Sequence, residues 1–323
     1  MKDCVMWSLL VSMFVTSFLI GGSVFAGQSS PPDRRIAPIV STTWLQENAE
    51  LKSLVILDIR SEAEYAAAHI PGARNAPFEM PVSAWTALRD ELLLEVPEKD
   101  QLFDTLGKLG IRKDSQVVIV TAPVPGQPPH YGLADATRVA DTLIYAGVKD
   151  VAVLDGGHPK WVADRLPTTG DVPGWSPTSF QGEVREEMFV STAYVHDHLC
   201  KAGIVDARDP DVYFGVTLEP FAGKPGHIPT AVSLPAPWIW DANEDGTYTY
   251  KDVKTLEAMA SSVTRGCKDP ECREIIVYCG VGGYASSWWF VLTQVLGYEN
   301  VSFYDGAAQA WVREHDMVPF QWE

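Results

Sequence analysis

A single cysteine in this sequence stands where sulfur chemistry is favoured. Cys279 follows the apolar run 275–278, which predicts a buried strand, and precedes the apolar segment 287–296, which predicts a helix. Main-chain N–H groups of the intervening loop and the positive end of the helix dipole favour an anion at their focus. The pattern therefore predicts a thiol of lowered pKa at Cys279, nucleophilic near neutral pH.

The residues after the cysteine form a candidate binding loop. This loop consists of Gly280, Val281, Gly282, Gly283 and Tyr284. Its glycines let the main chain curl closely around whatever the sulfur carries. A lone cysteine at a strand end is more often an inert core residue, and the loop by itself does not decide between the two interpretations.

The elements that would position this cysteine occur twice in the chain. Four features recur in the same order: Asp58-Ile59-Arg60 and Asp206-Ala207-Arg208, His69-Ile70-Pro71 and His227-Ile228-Pro229, the apolar runs 117–121 and 275–279, and Asp155-Gly156-Gly157 and Asp305-Gly306-Ala307. The shared order predicts a tandem duplication. Each copy alternates apolar runs with helical stretches, which is typical of an α/β fold with a mainly parallel sheet flanked by helices.

The two copies differ at the cysteine. The first has Thr121 in its place, followed by a proline-rich loop at 122–129. Threonine supplies no thiolate and prolines remove N–H donors, so the first copy is predicted to be non-catalytic. We assign 37–165 to this N-terminal domain, 166–189 to a linker, and 190–323 to the C-terminal catalytic domain.

The first 26 residues are typical of a secretory signal peptide. Lys2 precedes an apolar core, and Val24-Phe25-Ala26 fits a cleavage site. We therefore expect residues 1–26 to be a signal peptide and the protein to be exported, either periplasmic or secreted. A leader retained as a membrane anchor is the alternative.

Charge and cysteine content narrow the function classes further. The net charge of −17 disfavours binding to nucleic acid and to anionic membranes, so an anionic substrate must be attracted locally. Five cysteines are too few for a disulfide framework, although a small loop disulfide between Cys267 and Cys272 stays open. No second Cys/His pair stands at zinc-ligand spacing, so no metal is expected.

Taken together, these motifs resemble those of the tandem-domain rhodanese-type sulfurtransferases, the family of thiosulfate and 3-mercaptopyruvate sulfurtransferases, over roughly 37–322. The resemblance implies two rhodanese-like domains, with 279–284 as the active loop of the second. It also implies that Cys279 takes a sulfane sulfur from thiosulfate, 3-mercaptopyruvate or another persulfide or thiol donor. The resulting persulfide would pass to a thiophilic acceptor, either a small molecule or a sulfur-accepting protein, without a cofactor.

Departures from the family pattern concern the substrate. Members of both kinds place arginines where this chain has Val212 and Phe221, which argues against the usual anionic donors. Lys224 is the nearest remaining cation and the candidate for binding an anionic donor, with a solvated loop lysine as the alternative. Ala285 stands where related cysteine phosphatases have an oxyanion-clamping arginine, which argues against that reaction. A non-turnover sulfur carrier or partner-binding module is the second hypothesis.

Overall fold

The computed structural model describes residues 34–264 and 273–321. The predicted signal peptide at 1–26 and the cysteines Cys267 and Cys272 lie outside the described residues. No helix within the described ranges is both long enough and apolar enough to cross a membrane. In the same ranges, no group of three or more His, Cys, Asp or Glu side chains is arranged to hold a metal ion.

The first half of the chain builds a five-stranded sheet and a hairpin. Its elements are β1 (Ile39–Val40), α1 (Thr42–Asn48), β2 (Leu54–Asp58), α2 (Glu62–Ala67), β3 (Arg74–Asn75), β4 (Ala87–Arg89), β5 (Leu92–Glu95), α3 (Lys99–Lys108), β6 (Gln116–Val120), α4 (Pro129–Tyr145), β7 (Asp150–Leu154) and α5 (Gly157–Ala163). The sheet order is β1-β7-β6-β2-β3 with every pair parallel, and β4 and β5 form the antiparallel hairpin.

The second half repeats this plan with a four-stranded sheet. Its elements are a 3₁₀ turn (Glu186–Met188), α6 (Thr192–Asp197), β8 (Gly203–Asp206), α7 (Pro210–Tyr213), β9 (Val232–Ser233), a 3₁₀ turn (Ala236–Ile239), β10 (Trp240–Ala242), β11 (Tyr248–Tyr250), α8 (Val253–Thr264), β12 (Ile275–Tyr278), α9 (Gly283–Phe290), a π-helical turn (Val291–Val295), β13 (Val301–Phe303) and α10 (Ala307–Glu314). The parallel order is β13-β12-β8-β9, and β10 pairs with β11 as a hairpin.

Both faces of each sheet are buried, which explains why the strands read as unbroken apolar runs. In β12, Ile275 and Val277 belong to a core that both halves share. Ile276 and Tyr278, which point the other way, belong to a core whose buried residues all come from the second half. Strand β6 alternates in the same manner. One apolar core is therefore shared by the two halves, and α4 and α9 contribute to it.

The duplicated motifs have the same geometry in the two halves. Arg60 Nη2 lies 2.6 Å from Asp58 Oδ2, and Arg208 Nη2 lies 2.6 Å from Asp206 Oδ2. The histidine of each His-Ile-Pro motif stacks on a tyrosine, with ring centroids 3.7 and 3.8 Å apart. Because the cysteine-free half makes the same contacts, these motifs stabilise the fold and do not mark the chemistry.

The halves are joined by reciprocal contacts between a turn and a hairpin. Asp155 Oδ1 accepts a hydrogen bond from Tyr250 N, the last residue of β11, at 2.9 Å. Asp305 Oδ2 accepts one from Val96 N, just after β5, at 3.0 Å. Each half therefore caps the Asp-Gly turn of the other with its own hairpin, while α4 and α9 pack together between them.

The helix after the cysteine begins earlier than the sequence predicted. The prediction placed its start at 287, but α9 begins at Gly283. Gly282, with a φ of 96°, turns the chain as the residue before the helix. Gly283 and Tyr284 therefore belong to the first helical turn, because packing overrides the low helix propensity of glycine.

Candidate active site

Cys279 lies at the carboxyl edge of the second sheet, directly after β12, and is only 3% exposed. The start of its loop is anchored to α10 by main-chain hydrogen bonds. The carbonyl of Cys279 accepts from Ala308 N at 2.9 Å, and that of Gly280 accepts from Gln309 N at 3.1 Å. The sulfur is therefore held by a fixed main chain and not by a free loop.

Main-chain N–H groups of the loop converge on the sulfur. Gly282 N lies 3.1 Å from Cys279 Sγ. The N–H groups of Val281 and Ala285 also reach the thiol, and all three lower its pKa. Donors fixed in this way stabilise negative charge on the sulfur without reorganising. The structure thus brings together the amide groups that the glycine-rich pattern predicted.

The resting thiol nevertheless has a raised pKa, so the prediction of a lowered pKa is wrong. Burial, followed by the negative charge of Glu219, raises the pKa of Cys279 to about 11, despite the loop N–H groups. Burial disfavours any charged form, and a neighbouring carboxylate disfavours a second negative charge. The sequence pattern revealed the N–H donors but neither of these two opposing causes.

Glu219 lies directly over the loop. A side chain on Gly280 would place its Cβ 2.1 Å from Glu219 Oε1, so the loop and this carboxyl group fit only because residue 280 is glycine. Arg208 Nη1 lies 3.5 Å from Glu219 Oε2. Burial still raises the pKa of Glu219 above its usual value. Sequence reasoning missed Glu219, because no spacing rule places a residue so distant in the chain over the cysteine.

A buried ion pair from both halves supports the loop from behind. Arg138 Nη1 of α4 lies 2.6 Å from Asp305 Oδ1, with side chains 1% and 8% exposed. A Cβ on Gly282 would lie 3.2 Å from Asp305 Oδ1 and 3.4 Å from Arg138 Nη1. Sequence reasoning also missed Arg138, although a lone cation within a largely apolar helix is an available signal, since unpaired arginines are rarely buried.

The loop opens onto a cavity of about 810 Å³ with walls from both halves. The predicted loop residues that line it are Cys279, Gly280, Val281, Gly283 and Tyr284. Gly282 contributes through its N–H group. From α4, Tyr131 and Asp135 complete the wall, and the rings of Tyr131 and Tyr284 lie 5.4 Å apart. The first half therefore shapes the space in front of the sulfur.

Lys224 does not reach this cavity, which corrects its predicted role in binding an anionic donor. Its Nζ lies 2.8 Å from Asp316 Oδ1 and 2.9 Å from the carbonyl of His315. Lys224 is not among the residues that line the cavity. By contrast, Val212 and Phe221, which occupy the two positions where arginines were expected, do line it. An apolar and an aromatic surface thus replace the expected cations.

Comparison with known proteins decides the family. The family model of the rhodanese-like domain matches residues 41–164 and 191–314. The chain belongs to the rhodanese family. This rhodanese is 31% identical over 288 residues to a sulfur carrier protein of Thermus thermophilus, covering 84% of this chain and 93% of that relative. The predicted family is therefore confirmed.

Solved structures agree with this assignment. The 3-mercaptopyruvate sulfotransferase of Escherichia coli superposes with a TM-score of 0.67 at 25% identity, covering 84% of this rhodanese and 99% of that chain. An anaerobic ergothioneine biosynthesis enzyme of Chlorobium limicola gives a TM-score of 0.69 at 22% identity, over 87% of this chain and 71% of that one. The second likeness shows the fold alone. Two tandem rhodanese-like domains, the predicted fold class, are confirmed.

Proposed function

We propose that this rhodanese is a sulfurtransferase that moves a sulfane sulfur from a donor to a thiophilic acceptor through a persulfide on Cys279. The observation that carries the proposal is a buried thiol 3.1 Å from Gly282 N, opening onto a cavity of about 810 Å³. The rhodanese relatives support the reaction class.

The reaction has two half-steps at one sulfur atom. The thiolate of Cys279 attacks the outer sulfur of the donor, so that a bond forms to Sγ while the bond to the rest of the donor breaks. The electron pair of the broken bond leaves with the donor fragment. An acceptor then attacks the terminal sulfur of the persulfide, and the electron pair returns to Sγ. Main-chain N–H groups of 281, 282 and 285 stabilise the anionic sulfur in both states.

The thiol has to lose its proton before the first attack. With a pKa of about 11, little thiolate exists at neutral pH. The charge of Glu219 is one cause of that high value, and this charge disappears when Glu219 takes up a proton. If the thiol lost its proton to solvent, a thiolate would stand beside an ionised Glu219, which places two negative charges at the loop. Transfer of the proton to Glu219 leaves one negative charge, so we assign Glu219 as the proton acceptor.

The N-terminal domain, 37–165, acts without a nucleophile of its own. Thr121 occupies the cysteine position, and its hydroxyl donates to the carbonyl of Gly132 at 2.6 Å. The domain instead supplies Arg138 behind the loop and Tyr131 in the cavity wall. Export to the periplasm or the exterior is proposed from residues 1–26 alone.

Intact-protein mass spectrometry tests the proposal. After incubation with a persulfide donor, the protein should gain one sulfur atom, and a thiol acceptor should remove it. Cys279→Ser should gain none. Cys200→Ser is the matched control, because Cys200 is also a free cysteine but is exposed and lies outside the cavity. Equal loading of wild type and Cys279→Ser would contradict the assignment of the nucleophile.

A sulfur carrier for a protein acceptor is the second candidate. Apolar side chains at the cavity wall are unusually exposed, with Met80 50%, Leu218 55% and Phe221 43% exposed. Such a rim suits a protein surface better than a small polar acceptor, and one relative is named a sulfur carrier protein. Slow multiple turnover with small thiols, together with complete single-turnover loading, would favour this candidate.

A further inference from the structure

The cavity at Cys279 is lined by more carboxyl groups than cationic groups. Five carboxyl side chains line it: Glu79, Asp135, Asp209, Asp211 and Glu219. Among the described residues that line the cavity, Arg208 is the one lysine or arginine. Its guanidinium is 2% exposed and lies 2.6 Å from Asp206, so its charge is already balanced by a carboxylate outside the lining. An anionic donor would find no uncompensated cation along these walls.

Two of these carboxyl groups have raised pKa values. Burial raises the pKa of Asp135 to about 8. Burial is also the main cause of the raised pKa of Asp209, and repulsion from Asp211 adds to it. A cation placed among these groups would favour their ionised forms and would be attracted by them. An anion would be repelled by each carboxylate that is ionised.

Aromatic rings line the same space. Tyr131 is 44% exposed and Phe221 43% exposed, and both contribute to the cavity wall. Tyr131 and Tyr284, whose rings lie 5.4 Å apart, line the same cavity as Cys279. The faces of aromatic rings attract ammonium and guanidinium groups. The aromatic walls and the carboxyl groups therefore favour the same sign of ligand charge.

We infer that the sulfur donor of this site is a small persulfide that bears a cationic group, such as a protonated amine, and not thiosulfate or 3-mercaptopyruvate. This inference rests on the proposed function, namely that Cys279 accepts sulfane sulfur. The thiolate of Cys279 attacks the terminal sulfur of R–S–SH and the S–S bond of the donor breaks. The departing R–S⁻ takes the electron pair and the proton that the Cys279 thiol gave up.

A matched pair of donors tests the inference. The persulfides of cysteamine and of 3-mercaptopropionate have the same chain length but carry end groups of opposite charge, an ammonium and a carboxylate. Loading of Cys279 is followed by intact mass in a single turnover, and each rate is divided by the rate of the same donor with 2-mercaptoethanol. The cationic donor should load at least about tenfold faster, and salt should reduce this preference.

The outcomes separate the inference from the proposed function. Equal normalised rates, or faster loading by the anionic persulfide, would overturn the inference and leave the sulfurtransferase intact. Failure of both donors to load a Cys279 that neutral iodoacetamide still alkylates would overturn the proposed function and the inference with it.

Two variants locate the charge selectivity within the cavity. Asp211→Asn and Glu219→Gln, which change two carboxyl groups of the cavity wall, should each reduce the ratio of cationic to anionic loading by about threefold or more. Glu219→Gln also changes the reactivity of the thiol, but that effect is common to both donors and cancels in the ratio. Asp104→Asn is the control, because this exposed carboxylate pairs with Lys108 and does not line the cavity. An unchanged ratio in both cavity variants, with loading retained, would refute the inference.

Discussion

The ion pair between Arg138 and Asp305 connects the N-terminal domain to the active loop of the C-terminal domain. Arg138→Met tests whether this ion pair stabilises the protein and the loop. The variant keeps a long apolar side chain but leaves the Asp305 carboxylate with the N–H of Val96 and without its guanidinium. Because the two side chains are 1% and 8% exposed, water cannot screen the loss. Leaving one partner of a buried pair uncompensated costs about 3–5 kcal/mol, which we expect as the loss in free energy of unfolding.

Urea unfolding followed by tryptophan fluorescence measures this loss, and Asp305→Asn completes a double-mutant cycle. The control is Lys108→Met, which breaks an ion pair of 2.5 Å whose side chains are 72% and 61% exposed. That change should cost less than about 1 kcal/mol, since solvent already screens the pair. Arg138→Met should also alter the alkylation rate of Cys279, because Arg138 pairs with Asp305 in the space directly behind Gly282. If both variants lose the same small amount of stability, the interdomain ion pair does not hold the loop as argued.

Three further predictions concern the loop and its cavity. Below the raised pKa of Cys279, its alkylation should become about tenfold faster with each unit of increase in pH, because the thiolate is the nucleophile. Glu219→Gln should move this profile to lower pH, since the carboxylate charge is one cause of the raised pKa, and a shift to higher pH would contradict this. Gly282→Ala forces a φ of 96° on alanine next to Asp305 and should slow sulfur loading, whereas Gly72→Ala, at a φ of 82° with open space around it, should cost about 1–2 kcal/mol of stability but leave loading unchanged. Asp135 has a pKa raised from 3.8 to about 8, so its stabilising contribution is complete below the lower value and lost as pH rises to the upper one. Asp135→Asn should therefore gain stability relative to wild type across that window in pH-dependent urea unfolding, and a gain confined to acid pH would refute the sign.

Sequence patterns were sufficient to predict the strands and the two repeated domains of this rhodanese, because these depend on residues close together in the chain. The run 275–278 predicted β12 with its observed bounds, because a strand buried on both faces has to be apolar throughout. The ordered repeats predicted two parallel-sheet domains. The start of α9 was misplaced, because Gly282 and Gly283 look alike in sequence although only Gly282 adopts the left-handed conformation.

The effect of burial and of Glu219 on the pKa of Cys279 could not be predicted from the sequence, because both depend on the tertiary structure. The N–H donors of 281 and 282 are neighbours of Cys279 in the chain, so spacing reveals them. Glu219 acts on the same thiol from another part of the fold, and burial depends on the whole molecule. Lys224 illustrates the converse, since its nearness to the motif along the chain says nothing about its ammonium, which binds Asp316.

The N-terminal domain has no cysteine at the position of Thr121, yet it contributes to the surroundings of the active loop. Both Asp-Gly turns are capped by the hairpin of the other half, yet their surroundings differ. Asp155 has a pKa raised to about 6, mainly by burial, with the N–H of Tyr250 as a stabilising partner. Asp305, which stands behind Gly282, has in addition the guanidinium of Arg138 at 2.6 Å. The half without the thiol thus supplies the cation that pairs with a buried carboxylate beside the reacting loop. The C-terminal domain alone would expose this turn and leave the carboxylate without its partner.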